Sequence, residues 1–196
     1  MSTGGPNAAA FEPAVCARYG RLGMIARWRP VHRGHAAVLG ALTECAEHAL
    51  IGIGSANRYN FRNPFTCNET TDMIRLALAG RDNFELIPVP DLDDGPRWRE
   101  MVIGLFGPLD AFISDNPYVA SLLAADYPII RPVELIPPEA RVPIDGAQVR
   151  RAMASGDGWV ELVPPAIADY IHSRRLDVRF RREFGLQTLA LATIMP

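Results

Sequence analysis

Residues 26–35 read Ala26-Arg27-Trp28-Arg29-Pro30-Val31-His32-Arg33-Gly34-His35, and the reading of this stretch decides the fold. Before it lies an apolar run, residues 22–25; after it, residues 36–50 repeat apolar side chains at helical spacing. A strand therefore hands over to a helix through a loop carrying two histidines, a glycine between them and three arginines. Free backbone N–H groups at a helix start attract anions, and imidazole N–H and guanidinium groups add directed donors. Gly34, without a side chain, would let a phosphate approach the backbone. The ligand that suits such a loop is a polyphosphate. The rival readings are two solvated surface histidines, which the flanking strand, Gly34 and the arginines disfavour, and a metal pair, which needs further ligands where no Cys, His or Glu cluster stands at suitable spacing.

Outward from this loop, strands and helices alternate. Strands are expected over 22–25, 49–53, 84–89 and 111–114, with a fifth extended segment over 129–135. Helices are expected over 36–50, 68–78, 98–105, 118–125, 148–154 and 164–172. The second of these has Thr66 or Asn68 as its cap and Glu69 in its first turn. Such alternation predicts an α/β domain with a parallel sheet of about five strands, and ligands in these folds bind outside the carboxyl ends of the strands. Polar and aromatic residues fall at those ends. Arg27 to His35 follow the first strand, Gly54 to Asn57 the second, Asp91 to Trp98 the third, and Ser114, Asp115 and Asn116 the fourth. Gly52-Ile53-Gly54 lacks a third glycine and is weak as a dinucleotide fingerprint.

Composition narrows the chemistry. The chain has 196 residues, 48% of them hydrophobic, enough for one domain with a sizeable core. Its net charge of -2 supplies no field to recruit nucleic acid or an anionic membrane, and neither is expected as a partner. All 20 basic residues are arginine, which excludes a Schiff-base or P-loop lysine and leaves phosphate handling to Arg, His and backbone amides. Cys16, Cys45 and Cys67, an odd and widely spaced set, read as free thiols in a reducing compartment. No apolar run approaches a membrane span, so a cytoplasmic protein is expected. Residues 1–18 read as a disordered leader and 19–175 as the functional domain. Residues 176–196 read as a C-terminal tail packing on that domain or on a partner in a homo-oligomer.

The motifs together resemble the nucleotidylyltransferase superfamily and, within it, the archaeal-type nicotinamide mononucleotide (NMN) adenylyltransferases, over about residues 20 to 172. The superfamily's His-x-Gly-His stands here as His32-Arg33-Gly34-His35. The archaeal-type lead-in Gly-Arg-Phe-Gln-Pro is Ala26-Arg27-Trp28-Arg29-Pro30, and Ile-Gly-Ser-Ala-Gln is Ile53-Gly54-Ser55-Ala56-Asn57. Asn63-Pro64-Phe65-Thr66 and Ser114-Asp115-Asn116-Pro117 match two further family segments. Ile-Ser-x-Thr-x-x-Arg is Ile144-Asp145-Gly146-Ala147-Gln148-Val149-Arg150. Three departures stand out: Asp145 for serine, Ala147 for threonine, and Thr70 where many relatives carry arginine after glutamate.

The resemblance implies a Rossmann-like, doubly wound sheet with C-terminal helices, and transfer of AMP from ATP to NMN. It implies that His32, His35, Arg27 and Arg150 are catalytic. Arg62, Gly34, Gly146 and Val149 would join them around ATP, and Ser55, Asn57, Asp91, Trp98 and Asn116 would bind NMN. Mg²⁺ would ride on the nucleotide rather than in a protein cage. Trp98 offers a flat face for a positively charged ring, and a core-facing helix position is its plainer role. Two other readings stay open: a sister transferase for another phosphorylated acceptor such as FMN or pantetheine phosphate, and a non-catalytic nucleotide-binding regulator.

Overall fold

The computed structural model describes residues 18–194, so the expected leader, Arg18 apart, lies outside the described residues. Five strands, β1 (Tyr19–Ala26), β2 (Ala46–Gly54), β3 (Phe84–Val89), β4 (Ala111–Ile113) and β5 (Ile129–Ile130), form one sheet in the order β3-β2-β1-β4-β5. Every pairing is parallel. The order reverses between β1 and β4, and in such a sheet the crevice at the reversal is where ligands sit.

Both faces are covered. Alternate residues of a strand face opposite sides, so Leu22 and Met24 of β1 and Ala49, Ile51 and Ile53 of β2 enter the larger core. That core is closed by α1 (Arg33–Cys45), α2 (Cys67–Ala77), α6 (Gly146–Ser155) and α7 (Pro165–Ser173) through Leu39, Leu42, Ile74, Val149 and Ile167. The opposite face packs Leu50 against α3 (Gly95–Phe106) and α4 (Pro117–Leu123) through Val102, Phe106 and Leu123. A Cβ on Gly23 or Gly52 would stand 3.0 Å from the Phe106 ring, so these two strand positions make room for it. Burying such a ring contributes about 1.5–3 kcal/mol.

Several boundaries differ from the sequence expectation: β1, β2 and α3 each begin three residues early, and three further differences have a visible cause. Helix α1 begins at Arg33 rather than at residue 36, because His32 is its N-cap and its Nδ1 accepts the His35 N–H at 3.2 Å. The same helix stops at Cys45 rather than continuing to residue 50. Residues from Ala46 onward pair with β1, and the Asn83 amide donates to the carbonyls of Thr43 and Ala46 at 2.9 and 3.0 Å. The fifth extended segment keeps only two residues as β5 and then turns into α5 (Pro132–Leu135). Proline suits a first helical turn, and the Glu134 carboxylate accepts the Arg131 N–H at 2.9 Å.

Helix α2 starts as its sequence predicts: Thr66 and Glu69 form a reciprocal capping box. Beyond α7 the chain continues as α8 (Leu176–Phe180), a π turn (Arg181–Gly185) and α9 (Leu186–Ile194). Leu176 and Phe180 are buried in the larger core, and Arg179 forms a two-pronged pair with Glu69 of α2 at 2.6 and 2.7 Å. Cys67 is a free thiol, whereas Cys45 is disulfide-bonded. This corrects the expectation of a free thiol at Cys45, since wide spacing in sequence says nothing of distance in the fold; Cys16 lies outside the described residues. The argument from thiols to a reducing compartment falls with it. Among the described residues no helix is long and apolar enough to cross a membrane.

Candidate active site

At the end of β1 the backbone enters the loop through Trp28, a non-glycine residue in the left-handed region at φ 56°. Such a conformation costs of order ~1–3 kcal/mol and persists where the surroundings dictate it. Trp28 is fully buried, and its indole N–H donates to the Gly52 carbonyl at 2.8 Å. Its ring meets the edge of His35 at 4.9 Å, and His35 stacks on His32 with centroids 3.6 Å apart.

That packing fixes the chemistry of both imidazoles. Because Nδ1 of His32 accepts from the helix N-terminus, its proton in the neutral form sits on Nε2, and Nε2 is buried with no partner. Nδ1 of His35 is likewise buried without one. Burial, opposed by the Asp145 carboxylate and aided by Arg150, pushes His32 down to about 4. Burial, then the neighbouring His32, holds His35 well below the ordinary histidine value. At neutral pH both rings are uncharged. Their unsatisfied polar atoms are what a bound oxyanion would engage.

Arg150, on α6, closes the same site. Its guanidinium donates to the Arg29 carbonyl at 3.1 Å. Burial first, and the nearby charge of Arg27 second, lower it to about 10, so it remains a cation at neutral pH. Arg27, Arg150, His35, Gly146, Ala147 and Asp145 line a cavity of about 240 Å³. Asp145 is not loose there: its carboxylate caps α6, accepting the Gln148 N–H at 2.7 Å. Arg62 lies outside the lining, exposed over the Phe61 ring, yet close enough for its charge to act on Arg150.

A second cavity, of about 530 Å³, opens at the reversal of strand order. Ser55, Asp91, Trp98, Asn116 and Arg27 are among its walls. Trp98 is half-buried: it lines this cavity and also packs on the smaller core. Asn116 spends its Oδ1 on the start of α4, accepting from Tyr118 N–H at 3.0 Å.

Three expected ligand residues are employed otherwise. The Val149 side chain is fully buried in the larger core. Gly34 is packed by protein: a Cβ there would stand 3.0 Å from the Val142 carbonyl and 3.1 Å from that of Ile144. Asn57 clamps two loops, its amide donating to the Asp91 carbonyl at 2.9 Å and accepting the Asp91 N–H at 2.8 Å. Spacing along a chain does not distinguish a group aimed at a ligand from one aimed at a neighbouring loop.

The chain is 34% identical over 150 residues to the nicotinamide-nucleotide adenylyltransferase of Methanocorpusculum labreanum, spanning 75% of this chain and 87% of that protein. It is 35% identical over 150 residues to the enzyme of the same name from Methanolobus tindarius, spanning 75% and 84%. The chain belongs to the archaeal-type nicotinamide-nucleotide adenylyltransferase family. No family model matches it. Among solved structures it resembles the bifunctional NMN adenylyltransferase/ADP ribose pyrophosphatase of Francisella tularensis, complexed with AMP and a manganese ion. The TM-score is 0.65 at 17% identity, over 91% of this chain and 57% of that one, a likeness of fold alone. For this adenylyltransferase-family chain the departures now have places. Asp145 is a helix cap at the smaller cavity, Ala147 a wall without a hydroxyl, and Thr70 a buried partner of Arg29. Arg29 is 1% exposed, and its guanidinium makes three hydrogen bonds.

Proposed function

We propose that this protein transfers the AMP moiety of ATP to nicotinamide mononucleotide, giving NAD and pyrophosphate. The observation that carries this reading is that Arg27 belongs to both cavities. One is small and rich in donors for polyphosphate; the other is larger, with the indole face of Trp98 for a nicotinamide ring. A phosphate oxygen of the mononucleotide attacks the α-phosphorus in line. As the new P–O bond forms, the bond to the bridging oxygen breaks and pyrophosphate leaves with the electron pair. The attacking phosphate is already ionised, so no general base is needed, and positioning with charge stabilisation does the work.

In this assignment Arg27 sits beside the transferring phosphoryl group. The Nε2–H of His32 and the His35 ring meet the triphosphate as neutral dipoles, and Arg150 balances charge gathering on the leaving pyrophosphate. Arg62 adds its charge from the rim. Ser55, Asp91, Trp98 and Asn116 hold the mononucleotide. Among the described residues no three His, Cys, Asp or Glu side chains group as a metal cage, and Asp145 is the one carboxylate lining the smaller cavity. This donor set fits a Mg²⁺ carried by phosphate oxygens and water, where it would neutralise polyphosphate charge.

Purified protein with Mg²⁺, ATP and NMN is expected to yield NAD and pyrophosphate in equal amounts, read by coupled absorbance and phosphate assays. Turnover of FMN or pantetheine phosphate in place of NMN would reassign the acceptor. Binding of both nucleotides without pyrophosphate release would make the protein a regulator.

A further inference from the structure

The larger cavity has a second aromatic wall. Tyr118, in the first turn of α4, lines it together with Trp98 of α3 and is 62% exposed. Exposure of this kind is ordinary for a surface tyrosine, but the hydroxyl of this one is left free inside the lining of a cavity. Tyr118 bonds through its backbone, the N–H donating to the Asn116 side chain at 3.0 Å and the carbonyl accepting from the Ser121 hydroxyl at 2.8 Å. Among the described residues its own hydroxyl has no partner. Tyr59, Tyr127 and Tyr170 each donate theirs, to Glu183, to the Gly107 carbonyl and to Asp72.

A glycine makes the place for that hydroxyl. A Cβ on Gly95 would stand 2.5 Å from the Tyr118 oxygen, so the phenol lies over the bare backbone at the start of α3. Gly95 and Trp98 both line the cavity, three residues apart on one helix. Positions at that spacing share a helix face, with Cβ atoms about 5–6 Å apart. A free hydroxyl therefore stands roughly one ring's breadth from the root of the indole. The neighbouring polar side chains of the fourth strand end are already engaged: Asn116 caps α4 through Oδ1, and the Ser114 hydroxyl accepts the Asn116 N–H at 3.2 Å.

We propose that Tyr118 is a specificity-determining residue for the acceptor: with a nicotinamide ring laid on the Trp98 indole, the Tyr118 hydroxyl hydrogen-bonds the carboxamide that the ring carries. This rests on the adenylyl-transfer reading above. A phenol donates one hydrogen bond and accepts others, so it can meet either the oxygen or the N–H of an amide. The contact lies at the ring, away from the reacting phosphorus, and contributes equally to ground state and transition state. It therefore acts on acceptor binding and leaves the chemical step alone.

The test sets Tyr118→Phe against two acceptors, NMN and the pyridinium ribonucleotide that lacks the carboxamide. KM and calorimetric Kd for each acceptor, KM for ATP, kcat and the thermal midpoint are measured. Tyr118→Phe should raise KM and Kd for NMN about 3- to 10-fold, the usual net worth of one hydrogen bond. The values for the bare pyridinium nucleotide, KM for ATP and kcat should stay within about twofold of wild type. The midpoint should not move, because the hydroxyl bonds nothing in the protein. Gly95→Ala keeps the phenol but displaces its hydroxyl, and alanine is the better helix former. Affinity for NMN should then fall by a similar factor while the midpoint holds or rises. The combined variant should bind NMN no more weakly than the weaker single variant, because both changes remove one contact. Unchanged NMN affinity in Tyr118→Phe, an equal loss for the two acceptors, or a combined loss equal to the product of the single losses overturns the proposal. A wild type that makes NAD beside a Tyr118→Phe protein of unchanged KM ends this proposal and leaves the adenylyl-transfer reading standing. A wild type that neither binds NMN nor forms NAD overturns both.

Discussion

The two cavities that share Arg27 are built in opposite ways. The smaller takes most of its chemistry from residues 27–35 and the start of α6: Arg150 and His35 line it, His32 stacks behind His35, and each imidazole keeps a buried polar atom without a partner. The larger is assembled from four strand ends, and three of the carboxylates in its lining have ion-pair partners, Asp91 and Asp93 sharing Arg58 and Asp115 meeting Arg131. The first arrangement stores binding capacity for an oxyanion and suits a reacting centre. The second presents a partly paired, partly aromatic wall and suits recognition.

That division predicts opposite kinetic signatures, and these are the largest effects expected. Arg150→Ala and His35→Ala should each lower kcat by ~10²-fold or more, since removing one transition-state donor typically costs about 3 kcal/mol. Trp98→Ala should leave kcat within about threefold while raising KM for NMN about tenfold, the worth of a desolvated cation–ring contact. Steady-state kinetics with each substrate varied separates the two. If Trp98→Ala lowers kcat as Arg150→Ala does, or Arg150→Ala changes only KM, the cavities do not divide the labour this way.

The same contrast governs what could be read from sequence. The parallel sheet, the polar strand ends and the neighbouring pair His32 and His35 were legible because consecutive residues and regular spacing encode them, whereas Arg150 was pointed to only by the family resemblance. The jobs of Gly34 and Asn57 were not, because the Val142 and Ile144 carbonyls and the Asp91 backbone that engage them lie far away in sequence. His32 showed itself as a phosphate candidate but not as the cap that moves the start of α1 to Arg33. The hydrogen bonds of the Arg29 guanidinium to Thr70 and to the Ser55 and Arg58 carbonyls were not legible either, because those partners lie 26 or more residues away.

Histidine burial gives a prediction of intermediate size. His32 has an ordinary value of 6.5 and is held at about 4 in the folded protein, mainly by burial. A base with a depressed folded value leaves the unfolded chain binding more protons, so stability is fully present above pH 6.5 and falls as pH drops toward 4. The shift corresponds to about 3 kcal/mol across that window, with His35 acting in the same direction. Thermal midpoints measured from pH 7.5 to 4.5 should fall more steeply in wild type than in His32→Gln. A polyphosphate should flatten the wild-type curve, because a bound anion favours the protonated ring. Equal slopes in the two proteins would mean that this imidazole is not held neutral.

The smallest effect is the finest probe of the phosphate cavity. The Asp145 carboxylate caps α6 and lies where its charge supports Arg150 and His32. It therefore stabilises the helix while placing a negative charge beside an anionic ligand. Serine keeps a capping oxygen without that charge. Asp145→Ser should hold stability within about 0.5 kcal/mol, whereas Asp145→Ala should lose about 1 kcal/mol, the usual worth of an N-cap. Ala147→Thr should tighten ATP by about 0.5–1.5 kcal/mol, one added hydrogen bond. Asp145→Ser should tighten it by a similar amount, seen by calorimetry both with and without Mg²⁺. If Asp145→Ser instead weakens ATP only when Mg²⁺ is present, the carboxylate organises the metal–nucleotide complex, and the cap is its secondary role. Weakening without Mg²⁺ as well would show that the carboxylate is needed to keep Arg150 aimed into the cavity. The division between a ready-made oxyanion site and a braced acceptor site would then have to include Asp145 among the braces.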